Sequence, residues 1–112
     1  MAKRKYNVEL SRRVEMMLLQ HTEFLAQVSP TAARRLINSS KEIKVRLADN
    51  PYQFPFADGL DVPGMPPETY RKCLFGGRYK ALFLVEGNNV FIDAVIDCRK
   101  ENANLLLSND EQ

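Results

Sequence analysis

Tryptophan is absent from this chain, histidine occurs once and cysteine twice. So few soft or imidazole ligands give no metal-site spacing, and no nucleophile motif accompanies the single His21. In mid-helix, with no second ligand beside it, His21 reads as a structural residue. Cys73 and Cys98 fall in runs that read as strands, which points to buried reduced thiols rather than a disulfide. No apolar run approaches the roughly 20 residues of a membrane span. The basic start Met1-Ala2-Lys3-Arg4-Lys5 has no apolar stretch behind it, so it does not read as a secretory leader. These absences predict a cytoplasmic protein with no membrane partner, no metal and no cofactor. Charge of one sign is also missing: the net charge is +2 among 112 residues. That is too weak for composition alone to announce a nucleic-acid binder, although a local cluster could still act as one.

What is present is a patterned chain, 45% hydrophobic, with enough apolar content for one modest core. It predicts a single domain over residues 1–112, with 1–5 and 108–112 frayed. Tyr6, Val8 and Leu10 alternate with polar residues, a short half-buried strand. Ser11 is placed to cap a helix whose stripe is Val14, Met17, Leu18, His21, Leu25 and Val28, with Phe24 at its edge. Ser29-Pro30 ends that helix and starts another, serine as cap and proline at the first helical position. Ala33, Leu36, Ile37, Ser40, Ile43 or Lys44, and Leu47 repeat the spacing until Asn50-Pro51 stops it. Neither helix buries its stripe alone, so the two pack as an antiparallel hairpin.

From 51 to 67 the period is lost and five of the six prolines occur. This reads as a stiffened connection anchored by Tyr52, Phe54, Phe56, Leu60, Val62 and Met65. Three strands follow, at Arg71–Phe75, Arg78–Val85 and Val90–Cys98. Gly76-Gly77 and Gly87-Asn88-Asn89 turn between them, which makes an antiparallel meander. Tyr79, Ala81, Phe83 and Val85 share one face, and Lys80, Leu82 and Leu84 the other. Alternation puts Val90, Ile92, Ala94, Ile96 and Cys98 toward the core, and Phe91, Asp93, Val95, Asp97 and Arg99 away from it. Residues 102–107 read as a short helical turn or an apolar tail. The expected fold is α+β: an N-terminal strand and a helical hairpin packed on an antiparallel sheet that the meander completes.

With no acid–base constellation evident, the chemistry-bearing residues are cations on or beside the meander: Arg71, Lys72, Arg78, Lys80, Arg99 and Lys100. Such a cluster suits binding a polyanion, or stabilising charge that develops on a phosphate. The acids Asp58, Asp61, Asp93 and Asp97 read as solvated surface. Phe91 and Val95, on the mixed face, are candidates for burial by a partner.

Element order and wording together resemble the RelE/ParE superfamily of toxins from type II toxin–antitoxin modules. The resemblance rests on Val8-Glu9-Leu10-Ser11, Ser29-Pro30 with Ala32-Ala33, Gly77-Arg78-Tyr79-Lys80, and the stretch from Phe91 to Asn102. It implies a toxin neutralised by a cognate antitoxin protein. The branch expected here inhibits translation by cleaving messenger RNA on the ribosome through a basic sheet face. The resemblance would then give Lys80, Arg99 and Arg71 catalytic roles, and Lys72, Arg78 and Lys100 a role in RNA binding. The aromatic or histidine that this branch carries near its C-terminus is missing around Leu105. The other branch inhibits DNA gyrase without catalysis, and Ser29-Pro30, the long second helix and Gly77-Arg78-Tyr79 resemble it equally. A degenerate member acting as a binding domain is the third reading.

Overall fold

A computed structural model describes residues 5–98. Along it run β1 (Asn7–Leu10), α1 (Arg12–Val28), α2 (Pro30–Asp49), a 3-10 turn at Pro51–Gln53, β2 (Arg71–Phe75), β3 (Tyr79–Glu86) and β4 (Asn89–Asp97). The capping residues act as the sequence predicts. The Ser11 hydroxyl accepts from the Val14 N–H and the Ser29 hydroxyl from the Ala32 N–H. With Ser29 in extended backbone and Pro30 opening α2, the chain reverses with no spare residue between the helices. Asn50 repeats the device, closing α2 and accepting from the Tyr52 N–H.

Strand order is β1-β4-β3-β2. The meander pairs antiparallel as expected, but β1 lies parallel to β4, Asn7 beside Asn89 through Leu10 beside Ile92. The sheet is therefore mixed, which corrects the expectation of an antiparallel one. The helical hairpin between β1 and the meander carries the chain across one face of the sheet before the last strand returns alongside the first. Phe83 is fully buried between sheet and hairpin, with Val14, Leu36, Leu47 and Val90 around it. Burying side chains of this size contributes about 1.5–3 kcal/mol each.

Two further expectations need correction. Met17 and Val28 were expected on the buried stripe of α1 but are exposed, Val28 to 66%, and on α2 Ile37 is exposed too. The line of α1 that meets the core is Val14 and Leu25, with Leu18 half-buried beside them. In the connection, Phe54 alone of the expected anchors is buried, edge-on to Phe83 at 5.9 Å. Tyr52 and Phe56 are exposed, and Leu60 stands 93% exposed at a loop tip.

The larger correction concerns β4. Phe83 pairs with Ile92 and Leu82 with Ala94, so Asp93 has no partner and forms a β-bulge. One extra residue reverses the facing of all that follows. Val95, opposite Ala81, packs against the core; Ala94 and Ile96, opposite Leu82 and Lys80, turn outward. Phe91, opposite Leu84, lies before the bulge and faces outward. Phe91 and Val95 thus sit on opposite faces and do not form one partner surface. Arg99, Lys100, residues 102–107 and the expected frayed ends 1–4 and 108–112 lie outside the described residues.

Candidate functional site

The described cations of the meander divide among three places. Lys72 and Lys80 meet on the outer face, away from the helices. In β2, Lys72 pairs with Leu82 and Leu74 with Lys80, so the two lysines are diagonal neighbours. Both reach Asp61 of the connecting loop. Lys72 Nζ donates to Oδ2 at 2.9 Å and to Oδ1 at 3.0 Å, and Lys80 Nζ donates to the same Oδ1 at 3.0 Å. Asp61 is 8% exposed and Lys80 7%. Burial opposes the charged carboxylate, but the Asp58 backbone N–H and the two ammonium groups outweigh it. Its pKa falls from the ordinary 3.8 to about 2. Asp61 is thus a buried counterion, not the solvated acid its loop setting suggests. The groove around it, about 450 Å³, is lined by Arg46, Phe54, Pro55, Cys73 and Leu74 besides the three charged residues.

Arg71 lies on the other face, opposite Phe83 at the β2 edge. Its Nη1 donates to the Phe54 carbonyl at 2.7 Å. Its guanidinium lies 4.0 Å from the Phe56 ring centroid and 5.2 Å from that of Tyr52. It clamps the connecting loop to the sheet. The expected single cationic surface holding both Arg71 and Lys80 is therefore not formed, because adjacent residues of a strand point to opposite faces.

The third place is the end of the sheet beside α1. Arg78 forms a two-pronged ion pair with Asp97, Nε to Oδ1 at 3.2 Å and Nη2 to Oδ2. That bond raises the guanidinium's pKa further. Tyr79, opposite Asp97 across the strands, shares a hydrogen bond with His21, Oη to Nε2 at 3.0 Å. Phe24 stacks on the imidazole at 6.3 Å. A cavity of about 290 Å³ opens here, lined by Met17, Leu18, His21, Tyr79, Val95, Ile96 and Asp97. Sequence reading placed His21 on its helix but missed its partner, because 58 positions separate it from Tyr79. Asp97 was missed because alternation carried straight through Asp93.

Asp93 itself accepts from the Tyr70 hydroxyl at 2.9 Å, which raises the phenol's pKa and ties the loop's end to the bulge. Among the described residues no group of three or more His, Cys, Asp and Glu could hold a metal ion. No described helix is long and apolar enough to cross a membrane. Compared with known proteins, the chain matches no family model and no curated sequence.

Proposed function

We propose that this chain is the toxin of a type II toxin–antitoxin module, of the RelE/ParE kind, and that it acts by binding a macromolecular target rather than by cutting RNA on the meander. Support for the class is the order strand, helical hairpin, three-stranded meander, with the hairpin on one face of the sheet. The observation that carries the mechanism is the division of the cations. In-line cleavage of RNA needs a base at the 2′-hydroxyl and cations at the same phosphate. Here Arg71 and Lys80 stand on opposite faces, and Lys80 is held by Asp61. A non-enzymatic inhibitor, as in the gyrase-directed branch, needs no such convergence.

One feature favours the ribonuclease reading instead. His21 and Tyr79 share a hydrogen bond beside Arg78, whose guanidinium lies 5.2 Å from the Tyr79 ring centroid. On that reading the acid–base group comes from α1 and not from the C-terminal segment. Expression without an antitoxin should arrest growth, and co-expression of the cognate antitoxin should relieve it. Under the binding mechanism, DNA supercoiling falls first, and His21→Gln and Lys80→Gln remain toxic. Loss of protein synthesis before any change in supercoiling, abolished by His21→Gln, would establish the ribonuclease reading. Unimpaired growth at good soluble expression would remove both.

A further inference from the structure

We propose that Asp58-Gly59 is a site of spontaneous backbone isomerisation, and that its conversion frees the loop that fastens Asp61 over Lys72 and Lys80. The modification belongs to the ageing of the chain and holds whatever its cellular target.

The attacking atom is the Gly59 amide nitrogen, whose approach a side chain on the same residue would crowd. Gly59 has none, and a Cβ placed there would meet nothing within 4 Å. The amide must lose its proton, which leaves charge shared with the Asp58 carbonyl oxygen. That oxygen accepts from two N–H groups, Asp61 at 3.0 Å and Val62 at 3.1 Å. Charge also develops on the side-chain oxygen as the nitrogen adds to Cγ. Asp58 Oδ1 already accepts from the Leu60 N–H at 2.8 Å, a turn that folds the carboxyl group back over the Asp58-Gly59 peptide. Donors aimed at oxygens where charge appears lower such barriers. Asp58, Gly59 and Leu60 are all exposed, so water reaches the product. The other described aspartates, Asp49, Asp61, Asp93 and Asp97, each precede a residue that carries a side chain.

The step needs no co-reactant but water. A bond forms between Gly59 N and Asp58 Cγ, and the carboxyl OH leaves with the amide proton as water. A five-membered succinimide remains. Water adding at Cγ restores aspartate; adding at the former main-chain carbonyl carbon, it gives isoaspartate, whose main chain runs through Cβ and Cγ. Composition and charge are unchanged, but the main chain is one atom longer. That atom falls inside the turn that seats Asp61. The Asp58 N–H donates to Asp61 Oδ2 at 2.9 Å, and the Asp58 carbonyl holds the Asp61 N–H. Isomerisation takes this carbonyl out of the main chain, so the turn is lost and Asp61 is no longer held against Lys72 Nζ.

The folded full chain, kept at neutral pH, should accumulate isoaspartate at Asp58. Protein L-isoaspartyl methyltransferase would label the peptide that carries it, at unchanged peptide mass. Urea removes the three N–H contacts, and the rate there should be lower by about tenfold or more, since one such donor is worth about a hundredfold in enzymes. Gly59→Val should not accumulate the product, and neither should Asp58→Glu, whose longer side chain closes no five-membered ring. In the isomerised fraction Lys72 should react with an acylating reagent several times faster than in fresh protein. No isoaspartate at Asp58 in the folded chain, or a rate in urea equal to the folded one or above it, overturns the site. Isoaspartate at Asp58 with unchanged Lys72 labelling overturns its hold on Asp61.

Discussion

A single carboxylate governs the outer face. Asp61 titrates at about 2 when folded and near 3.8 otherwise, so protonation is harder in the native state. Its stabilising contribution is complete above pH ~4 and is lost as the pH falls toward ~2. Thermal melts of the wild type should therefore show a decline across that window. In Asp61→Asn this part of the acid limb should be absent, from a lower starting stability. Breaking a buried pair by removing one partner costs about 3–5 kcal/mol at most, and less here because Lys72 is partly exposed. The thiols divide in the same way by surroundings. Burial pushes Cys73 up to about 11, while Cys98 is only half-buried. Alkylation at neutral pH should modify Cys98 well before Cys73, and equal rates would contradict that placement.

Among the elements, the bulge in β4 decides most. Asp93 interrupts an otherwise apolar strand, Ile92-Asp93-Ala94, and the Tyr70 hydroxyl holds it there. Deleting Asp93 would restore strict alternation with Ala94 still opposite Leu82, Val95 opposite Ala81 and Asp97 opposite Tyr79, so the facing is kept and the Tyr70 bond is lost. Losing that one hydrogen bond costs about 1 kcal/mol, so the deletion variant should unfold at slightly lower urea than the wild type. Asp93→Ala keeps the extra residue and loses one hydrogen bond, for about 1 kcal/mol. Similar costs for the two variants are expected, and a much larger cost for the deletion would mean that the bulge itself, beyond the bond it makes, holds the strand.

The same element separates what was legible in the sequence from what was not. Ser11, Ser29-Pro30 and Asn50-Pro51 act through neighbours within three residues, so the helix ends could be read directly. Gly76 and Gly77, both at positive φ, likewise announce their turn. The bulge was not legible, because an aspartate in a strand is ordinarily a solvent-facing residue. The parallel pairing of β1, the His21–Tyr79 bond and the capture of two lysines by Asp61 all join positions far apart in the chain. No local period encodes such contacts.

For the molecule as a whole, Phe83 is where sheet, hairpin and connecting loop meet. Phe83→Ala should cost about 3–5 kcal/mol, enough to unfold a marginal domain, and calorimetry would detect it. The parallel seam between β1 and β4 has a consequence in time. β1 joins the sheet only through a strand made some eighty positions later, so until then that edge has no partner within the sheet. Closing so long a span is slow. Whatever depends on the completed sheet must therefore wait until β4 has been made, however early β1 and the helical hairpin take shape.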